Sequence, residues 1–417
     1  MLLYPIQYLG NNRTKCLKSA GVSTGKWTTS AGAATCMLLA LTAMGSAIAQ
    51  TTGDNFDVTV EPSESQEQVT TQGQASLDGA TLSISSLQNI TTILRLSGGG
   101  SSSSSKEEEE KDKSKKTALL ASLGSIIYAV LDDDDSEELG ADFSRWGSFT
   151  DISYGFGSHD TTSNTPSHDI DSINVTAGVD YRYSPTLVLG GAFVYTHSNN
   201  EFSGNIGDLE VDGYSLAVLG SWYPQETWYV DGIIRGGFND YDTTRRDTTG
   251  TRANGSTDGG EFSISAGTGY DFTLRGWTAG PLFRITYTDV TIDSYRERNS
   301  TQALDYDDQD IESLTTNLGA QVSRAINTNF GVVLPQANVE WVHEFEDDGR
   351  RVIARPVAGG PAFAVPVDDL DSNFFRGSIG TTLLLTHGRM LFARYEGELG
   401  RADRNDHSIS LGARLEF

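Results

Sequence analysis

The sequence has no uncharged apolar run of about 18 residues, so no helix of the kind that spans a bilayer is expected. Basic residues are also scarce, since 30 Lys and Arg stand against 56 Asp and Glu, for a net charge of −26. A nucleic-acid binder needs a basic face against phosphate, and this composition excludes that class.

Cysteine is absent after residue 49, because the two cysteines are Cys16 and Cys36. The rest of the chain therefore has no disulfide and no thiolate chemistry. Hydrophobic residues make up only 37% of the chain, whereas glycine is abundant at 45 residues. The chain is long enough for a large core but too polar and glycine-rich for an ordinary globular one.

Residues 1–49 contain basic residues but no acidic ones, and an apolar run over 33–43 leads to Ala47, Ala49 and then Gln50. A basic start, a short apolar run and an A-x-A exit are typical of a secretory signal peptide, with a buried helix as the alternative. We expect cleavage after Ala49, with Gln50 as the new N-terminus. The long stretch before the apolar run leaves the true start codon open.

Residues 50–105 are rich in Ser, Thr, Gln and Gly and are expected to be a short passenger-like or disordered region. Within it, residues 75–84 show weak strand character around an Asp78-Gly79 turn. Residues 98–105 read GGGSSSSS, which is typical of a flexible linker. A charged run and an apolar run over 117–131 follow, and we expect a helix within 106–142.

From about residue 143 the pattern changes to segments in which apolar and polar residues alternate, as in strands with one apolar face. The last segment is the clearest, since Leu411, Leu415 and Phe417 share one face while Ser410 and Arg414 share the other. The twelve segments are 145–157, 173–183, 186–197, 211–223, 227–239, 261–273, 277–289, 313–325, 329–345, 374–386, 389–399 and 407–417.

The connections between these segments alternate in length. They are short after the even segments, and most are long and polar after the odd segments. This alternation over an even number of strands is typical of outer-membrane barrels, which have short periplasmic turns and longer external loops. Aromatic residues also lie near segment ends, where an aromatic girdle is expected: Tyr181, Tyr183, Tyr195, Trp222, Tyr223, Trp228, Trp277 and Trp341. We therefore predict an all-β fold, a 12-stranded antiparallel transmembrane β-barrel with a short pre-barrel helix and a disordered N-terminal region.

Four pieces of the barrel, in order, carry a resemblance to a known family. They are the opening strand at 146–157, the central hairpin at 213–237, the segment 335–345 and the closing strand 408–417. In this order they resemble the autotransporter β-domain of type V secretion. The resemblance covers roughly 143–417 and implies a translocator in the outer membrane of a Gram-negative bacterium.

The resemblance also implies a helix inside the pore just before the barrel, and residues 106–142 are placed to provide it. It further implies contact with outer-membrane lipid and lipopolysaccharide, with the barrel-assembly machinery and with periplasmic chaperones, as a monomer. Phe417, Leu415 and Leu411 are the expected assembly signal. The region 50–105 is very short for a passenger, so a passengerless barrel acting as adhesin, pore or envelope scaffold is the alternative.

The sequence shows no signature of a catalytic, cofactor or metal site, and we expect no enzyme activity. The pairs His159-Asp160 and His168-Asp169 suit general-base chemistry, but a solvated loop is the plainer interpretation. The acidic runs 305–310 and 368–371 could bind calcium but lack the spacing of a calcium loop. Charges on the inward faces of the strands are expected to pair across the lumen.

Overall fold

The structure is a computed structural model that describes residues 67–98 and 145–417, apart from residues 226, 348 and 387. All of these belong to one compact unit, residues 58–417. The predicted signal peptide, with Ala47, Ala49 and Gln50, lies outside the described residues, and so does the helix predicted within 106–142. No described helix is both long and apolar enough to cross a membrane.

Twelve long antiparallel strands, named β1 to β12, form the main sheet, as the alternating segments predict, and two three-residue strands, Phe272–Leu274 and Ile326–Thr328, pair at its short turns. In chain order they are Trp146–His159, His168–Ser184, Leu187–Phe202, Gly207–Gln225, Trp228–Arg246, Arg252–Tyr270, Trp277–Ile292, Gln309–Arg324, Gly331–Glu344, Asn373–Leu385, Arg389–Leu399 and Arg404–Glu416.

Each strand pairs with its neighbour in sequence, and the first pairs with the last, so the sheet is closed. In the closing pair, Phe149 lies opposite Arg414 and Ile152 lies opposite Leu411. Closure leaves no unpaired edge in the lipid, where an unpaired backbone group would cost several kcal/mol. The predicted 12-stranded barrel is therefore confirmed.

The connections confirm that one end of the barrel has short turns and the other has longer connections, but two of the longer connections are shorter than predicted. We call the end with the short turns the inner end and the opposite end the outer end. Two of the predicted long loops, 198–210 and 240–260, are mostly strand: β3 and β4 are joined by 203–206 only, and β5 and β6 by 247–251. The polar residues there continue the alternation beyond the membrane, so these hairpins project from the outer end.

Residues 71–98 form one α-helix, Thr71–Gly98, named α1, which follows a 3-10 turn at Glu67–Thr70. This corrects the strand expected at 75–84, and it shows Glu67–Gly98 to be helical rather than disordered, whereas the rest of 50–105 lies outside the described residues. Gly, Ser and Thr lower the intrinsic helix propensity of this segment, so its helical form depends on the surfaces around it.

A second, smaller sheet lies at the outer end, and the sequence did not predict it. Its four strands are, in spatial order, Phe363–Pro366, Arg351–Pro356, Leu304–Tyr306 and Tyr295–Arg296. They come from the two longest connections, between β7 and β8 and between β9 and β10. We call this structure the outer sheet.

Candidate functional site: the helix in the barrel lumen

Helix α1 lies in the barrel lumen with its N-terminus at the outer end. Near that terminus, the Gln72 amide donates a hydrogen bond of 3.0 Å to the Tyr295 hydroxyl of the outer sheet. At the other terminus, the Arg182 guanidinium, beside the β2–β3 turn, donates to the Ser97 carbonyl. The helix has 28 residues, and at about 1.5 Å per residue it is some 42 Å long. It therefore extends along the whole membrane-spanning part of the barrel.

The outer half of α1 contacts the barrel through hydroxyl groups and through Ala75 and Leu77, which belong to an apolar cluster with side chains of the strands. Ser76 lies 2.8 Å from the Tyr241 hydroxyl, and Ser83 lies 3.1 Å from that of Thr196. Ser86 donates a hydrogen bond of 2.7 Å to the Asp151 carboxylate. These serines are three or seven residues apart, so they share one face of the helix. Their short side chains let the helix approach the strands while each hydroxyl keeps a partner.

Two ion pairs connect α1 to the barrel, one in each half. In the outer half, Asp78 pairs with Arg404 of β12 at 2.5 Å. In the inner half, Arg95 pairs with Asp231 of β5, and its guanidinium carbon lies 3.5 Å from the centre of the Tyr229 ring. The side chains of Arg95 and Asp231 are only 12% and 15% exposed, so the pair is largely shielded from solvent.

The longest apolar side chains of α1 are concentrated in its inner half, where they pack against an apolar part of the barrel wall. Leu87, Ile90, Ile93 and Leu94 are each 0% exposed. Their neighbours are inward-facing aliphatic and aromatic side chains of the strands, among them Phe149, Val188, Val194, Leu219, Ile233, Leu334 and Phe392. This explains why β3 is apolar on both faces: one face meets lipid and the other meets the helix.

The inward charges of the strands form ion pairs, but with the same, the adjacent or the next-but-one strand rather than across the lumen as expected. Arg414 of β12 pairs with Asp180 of β2 at 2.7 Å, although β1 lies between the two strands. Arg235 pairs with Glu261 on the neighbouring β6. Within one strand, Arg394 donates to Glu396 at 2.8 Å. Because the helix occupies the centre of the lumen, the charges pair around the wall.

The outer sheet packs on the N-terminus of α1. Val69 belongs to an apolar cluster with Tyr295 and Tyr306 of the outer sheet. The other members of this cluster are Leu304, Val352, Ala354, Phe363, Val365 and Val367. Burial raises the pKa of Tyr295, so its hydroxyl keeps the proton. Below the sheet, the Gln309 amide donates to the Gln72 side-chain oxygen at 2.9 Å. The outer sheet therefore covers the outer mouth of the lumen above the helix.

The two histidine pairs of the first connection do not form acid–histidine dyads. The rings of His159 and His168 are stacked, with centres 5.1 Å apart. Among the described residues, His168 Nδ1 contacts the Pro166 carbonyl at 3.1 Å and no carboxylate. Burial lowers the pKa of His168 to about 4. The ring is therefore neutral at physiological pH and has a structural role at the tip of the β1–β2 hairpin.

The acidic runs also have ordinary partners in the described part of the chain. Asp307 pairs with Arg355 at 2.7 Å, and Asp305 pairs with Arg296 at 2.6 Å. Asp368 accepts a hydrogen bond of 2.8 Å from the Asn164 amide. The described residues, 67–98 and 145–417 without 226, 348 and 387, contain no group of three or more His, Cys, Asp or Glu side chains arranged to hold a metal ion.

The three residues proposed as an assembly signal point away from the lumen. Leu411, Leu415 and Phe417 are 59%, 49% and 68% exposed, whereas Arg414 on the other face is buried. This is the register that the sequence pattern predicts for the last strand. Their role in assembly stays a prediction.

Comparisons with known proteins agree with this architecture. The family described as autotransporter β-domain matches residues 148–396. The esterase EstA of Pseudomonas aeruginosa is 27% identical over 269 residues, which cover 62% of this chain and 41% of that protein. Lipase 1 of Photorhabdus luminescens is 24% identical over 59% of this chain and 38% of its own length. The chain thus spans about two fifths of the length of these curated relatives.

Two solved structures are similar in fold. The translocator domain of the autotransporter NalP from Neisseria meningitidis matches with a TM-score of 0.53 and 16% identity, over 70% of this chain and 94% of that domain. The β-domain of the Bordetella autotransporter BrkA matches with a TM-score of 0.50 and 19% identity, over 66% and 100% respectively. The family match covers more than half of the chain, and the closed 12-stranded barrel is the corresponding fold. The chain therefore belongs to the autotransporter β-domain family of outer-membrane barrels.

Proposed function

We propose that this chain is an outer-membrane translocator that holds its own short N-terminal segment at the cell surface. One observation carries the proposal: α1 fills the lumen with Glu67–Thr70 at the outer end. Residues before 67 then continue outward from the outer mouth. After cleavage at Ala49, the surface segment would be residues 50–66, which is very short for a passenger.

The other end of α1 supports the same orientation. Arg182 contacts both ends of the segment that joins the helix to the barrel: its guanidinium donates to the Ser97 carbonyl, and its backbone N–H donates to the Arg145 carbonyl at 2.7 Å. Residues 99–144 thus start and finish at the inner end. Because α1 fills the lumen, we place this 99–144 segment in the periplasm, including residues 106–142, for which the family resemblance implied a helix inside the pore.

Two epitope-tagged proteins test this orientation. One carries the tag within residues 50–57, and the other carries the same tag within the glycine–serine run 98–105. On intact cells, a protease or antibody should reach the first tag and not the second. After permeabilisation of the outer membrane, both should be accessible. A first tag that is hidden on intact cells, or a second tag that is exposed there, would contradict the proposal.

The names of the relatives do not assign an activity to this chain. The esterase and the lipase match over 41% and 38% of their own lengths, and their matched parts correspond to a barrel domain here. We infer that this chain has no catalytic activity of its own. Purified protein assayed with short-chain and long-chain acyl esters should give no hydrolysis above a heat-denatured sample. Saturable hydrolysis that is lost on a point substitution would refute this inference.

The proposal also includes how the chain is exported and how its barrel is assembled. A signal peptide ending at Ala49 directs the chain to the periplasm, and chaperones and the barrel-assembly machinery receive it there as a monomer. Phe417→Asp places a charge on the lipid-facing end of β12 and should lower the outer-membrane yield. Asn405→Asp, at the outer end of the same strand, is the control and should leave the yield unchanged. Equal yields of both variants would argue against an assembly role for Phe417.

A further inference from the structure

The outer sheet is built from two separate arms of the chain. The first arm is residues 293–308, which join β7 to β8, and the second arm is residues 349–372, which lead into β10. Each arm contributes two strands of the outer sheet, and within each arm these two strands pair with each other. The outer sheet is continuous only because the two arms meet.

The two arms are attached to different sides of the barrel rim. Arg245 of β5 donates hydrogen bonds of 2.8 and 2.6 Å to Glu297 of the first arm, and both side chains are buried. In the second arm, Asp371 accepts a hydrogen bond of 3.3 Å from the Ala402 N–H of the β11–β12 turn, and Asp368 contacts the β1–β2 connection. In the closed ring of strands, β5 and β11 lie half the circumference apart. The outer sheet therefore bridges the mouth of the barrel.

The arms meet along a short seam, where their strands pair over three residues. Two further backbone hydrogen bonds extend the seam: Asp307 N–H donates to the Ile353 carbonyl at 3.0 Å, and Val357 N–H donates to the Ala303 carbonyl at 2.9 Å. The ion pair between Asp307 and Arg355 also crosses the seam, but its side chains are 37% and 50% exposed, so it contributes little. A strand pair this short is not stable by itself in water. The seam therefore depends on the side chains that pack beneath it.

The N-terminal end of the helix contacts both arms beneath the seam. The turn Glu67–Thr70 packs against the strand Phe363–Pro366 of the second arm, and its Val69 side chain is buried in the apolar cluster there. The amide of Gln72, which is 0% exposed, donates to the Tyr295 hydroxyl of the first arm. Without this end of the helix, the apolar side chains of both arms would face water, which is unfavourable. The helix therefore supplies contacts that hold the two arms together.

We propose that the outer sheet is a two-armed lid that closes only when the N-terminal end of α1 lies beneath the seam. The mouth is open while the lumen lacks the helix, and it is sealed once the helix is in place. This inference goes beyond the proposed function, because it concerns how the lumen is closed and not which segment the barrel displays. It requires α1 in the lumen, and it does not depend on the side of the membrane that the outer end faces.

Amide hydrogen exchange in the full-length protein measures the closure of the seam. Val69→Asn places a polar amide in the buried apolar contact between the helix end and the second arm, which is unfavourable. The amides of Asp307 and Val357 should then exchange at least about tenfold faster, which corresponds to about 1.4 kcal/mol. The Arg298 amide, whose hydrogen bond of 2.8 Å attaches the first arm to β6, should exchange at an unchanged rate. This pattern would show that the arms part at the seam while the first arm stays attached to the barrel.

Each contrary result of this experiment would overturn the proposal. Unchanged exchange at the seam in Val69→Asn would mean that the arms stay closed without the helix contact. Equal acceleration of the Arg298 amide would mean that the first arm detaches as a whole. The control is Thr81→Asn, which introduces the same residue at an exposed position of α1 and should leave all three rates unchanged. Acceleration in Thr81→Asn equal to that in Val69→Asn would mean that the contact beneath the seam is not the cause.

Thiol labelling of the purified full-length protein tests whether the closed lid is a seal. Ala354 lies at the seam and is 0% exposed, whereas Ala358 lies in the turn of the same arm and is exposed. The chain after residue 49 has no cysteine of its own. A maleimide should modify Ala354→Cys at least about tenfold more slowly than the control Ala358→Cys, because the lid must open first. Adding Val69→Asn should accelerate the labelling of Ala354→Cys and not that of Ala358→Cys. Equal labelling rates of Ala354→Cys with and without Val69→Asn would refute the lid.

Discussion

The two halves of the lumen hold the same helix by different means. In the outer half, Ser76, Ser83 and Ser86 lie within hydrogen-bond distance of polar side chains of the wall. In the inner half, Leu87 and Ile90 belong to a large apolar cluster with side chains of the wall. Apolar burial is favourable but not directional, at roughly 25 cal/mol per Å². Hydrogen bonds contribute less each but require a set geometry. The inner half therefore provides most of the binding free energy, and the outer half fixes the rotation and depth of the helix.

The strongest way to break this arrangement is a charge in the inner half. Leu94→Asp buries a carboxylate without a partner at a position that is 0% exposed, at a cost of several kcal/mol. We expect α1 to leave the wall and the conductance in a planar bilayer to rise from near zero to a steady open level. Thr81→Asp is the control, because Thr81 is an exposed position of the same helix. If Leu94→Asp conducts no more than Thr81→Asp, the inner half does not hold the helix.

The next largest effect comes from the ion pair near the inner end. Arg95→Ala leaves Asp231 largely buried without its partner, and we expect a loss of about 3 kcal/mol in helix binding. Amide exchange of residues 90–97 should accelerate accordingly. Exchanging the charges, as Arg95→Asp with Asp231→Arg, should recover part of the loss. No recovery would mean that Arg95 acts through its stacking on Tyr229 rather than through the pair.

A pH titration separates the outer end from the inner half. Burial holds the pKa of His168 at about 4, below its usual value of 6.5, so the unfolded hairpin binds the proton first as pH falls. The stability at this tip is fully present above pH 6.5 and decreases as pH falls toward 4, by up to roughly 3 kcal/mol. Exchange of residues 160–167 should accelerate over this range, while exchange of 87–94 should not. His168→Phe should remove the acceleration at the tip.

The smallest effect is expected from a single hydroxyl in the outer half. Ser83→Ala removes the contacts with Thr196 and with the Asn174 amide, at a cost of about 1 kcal/mol. Leu87→Ala, one turn further in, should cost about 2–5 kcal/mol. Exchange of the α1 amides in the two variants measures the difference. A cost for Ser83→Ala equal to that for Leu87→Ala would contradict the division between the halves.

The barrel could be predicted from the sequence because its signal is local and repeated. Strand residues alternate with a period of two, and this period is clear in segments such as the last, where Leu411, Leu415 and Phe417 lie on the face opposite to Arg414. The predicted strand ends are less accurate. Residues such as 198–202 extend a strand beyond its predicted end, and because they are mostly polar they do not show the alternation of apolar and polar residues. Inward charges such as Arg235 were also identified, but their partners depend on strand register rather than on sequence order.

The helix and the outer sheet could not be predicted in the same way. In α1, Gly73, Gly79 and the serines resemble a turn-rich segment, and the helical form depends on a lumen that exists only after the barrel closes. The spacing of Ser76, Gly79, Ser83 and Ser86 was the available signal, since it places small residues on one helix face. The outer sheet consists of two local strand pairs that are joined by the pairing of Leu304–Tyr306 with Arg351–Pro356, more than 40 residues later, and no local pattern specifies that central pairing.

The central claim is that α1 lies in the lumen with its serine face on β2 and β3, and one cross-link tests it most directly. Cysteines at Ser83 and Thr196, whose hydroxyls are 3.1 Å apart, should form a disulfide in the outer-membrane protein of intact cells. Cysteines at Ser85 and Thr196 should not, because Ser85 faces Glu396 of β11 instead. A disulfide at the first pair alone is the result expected here. No disulfide at the first pair, or equal amounts at both, would contradict the placement of the helix.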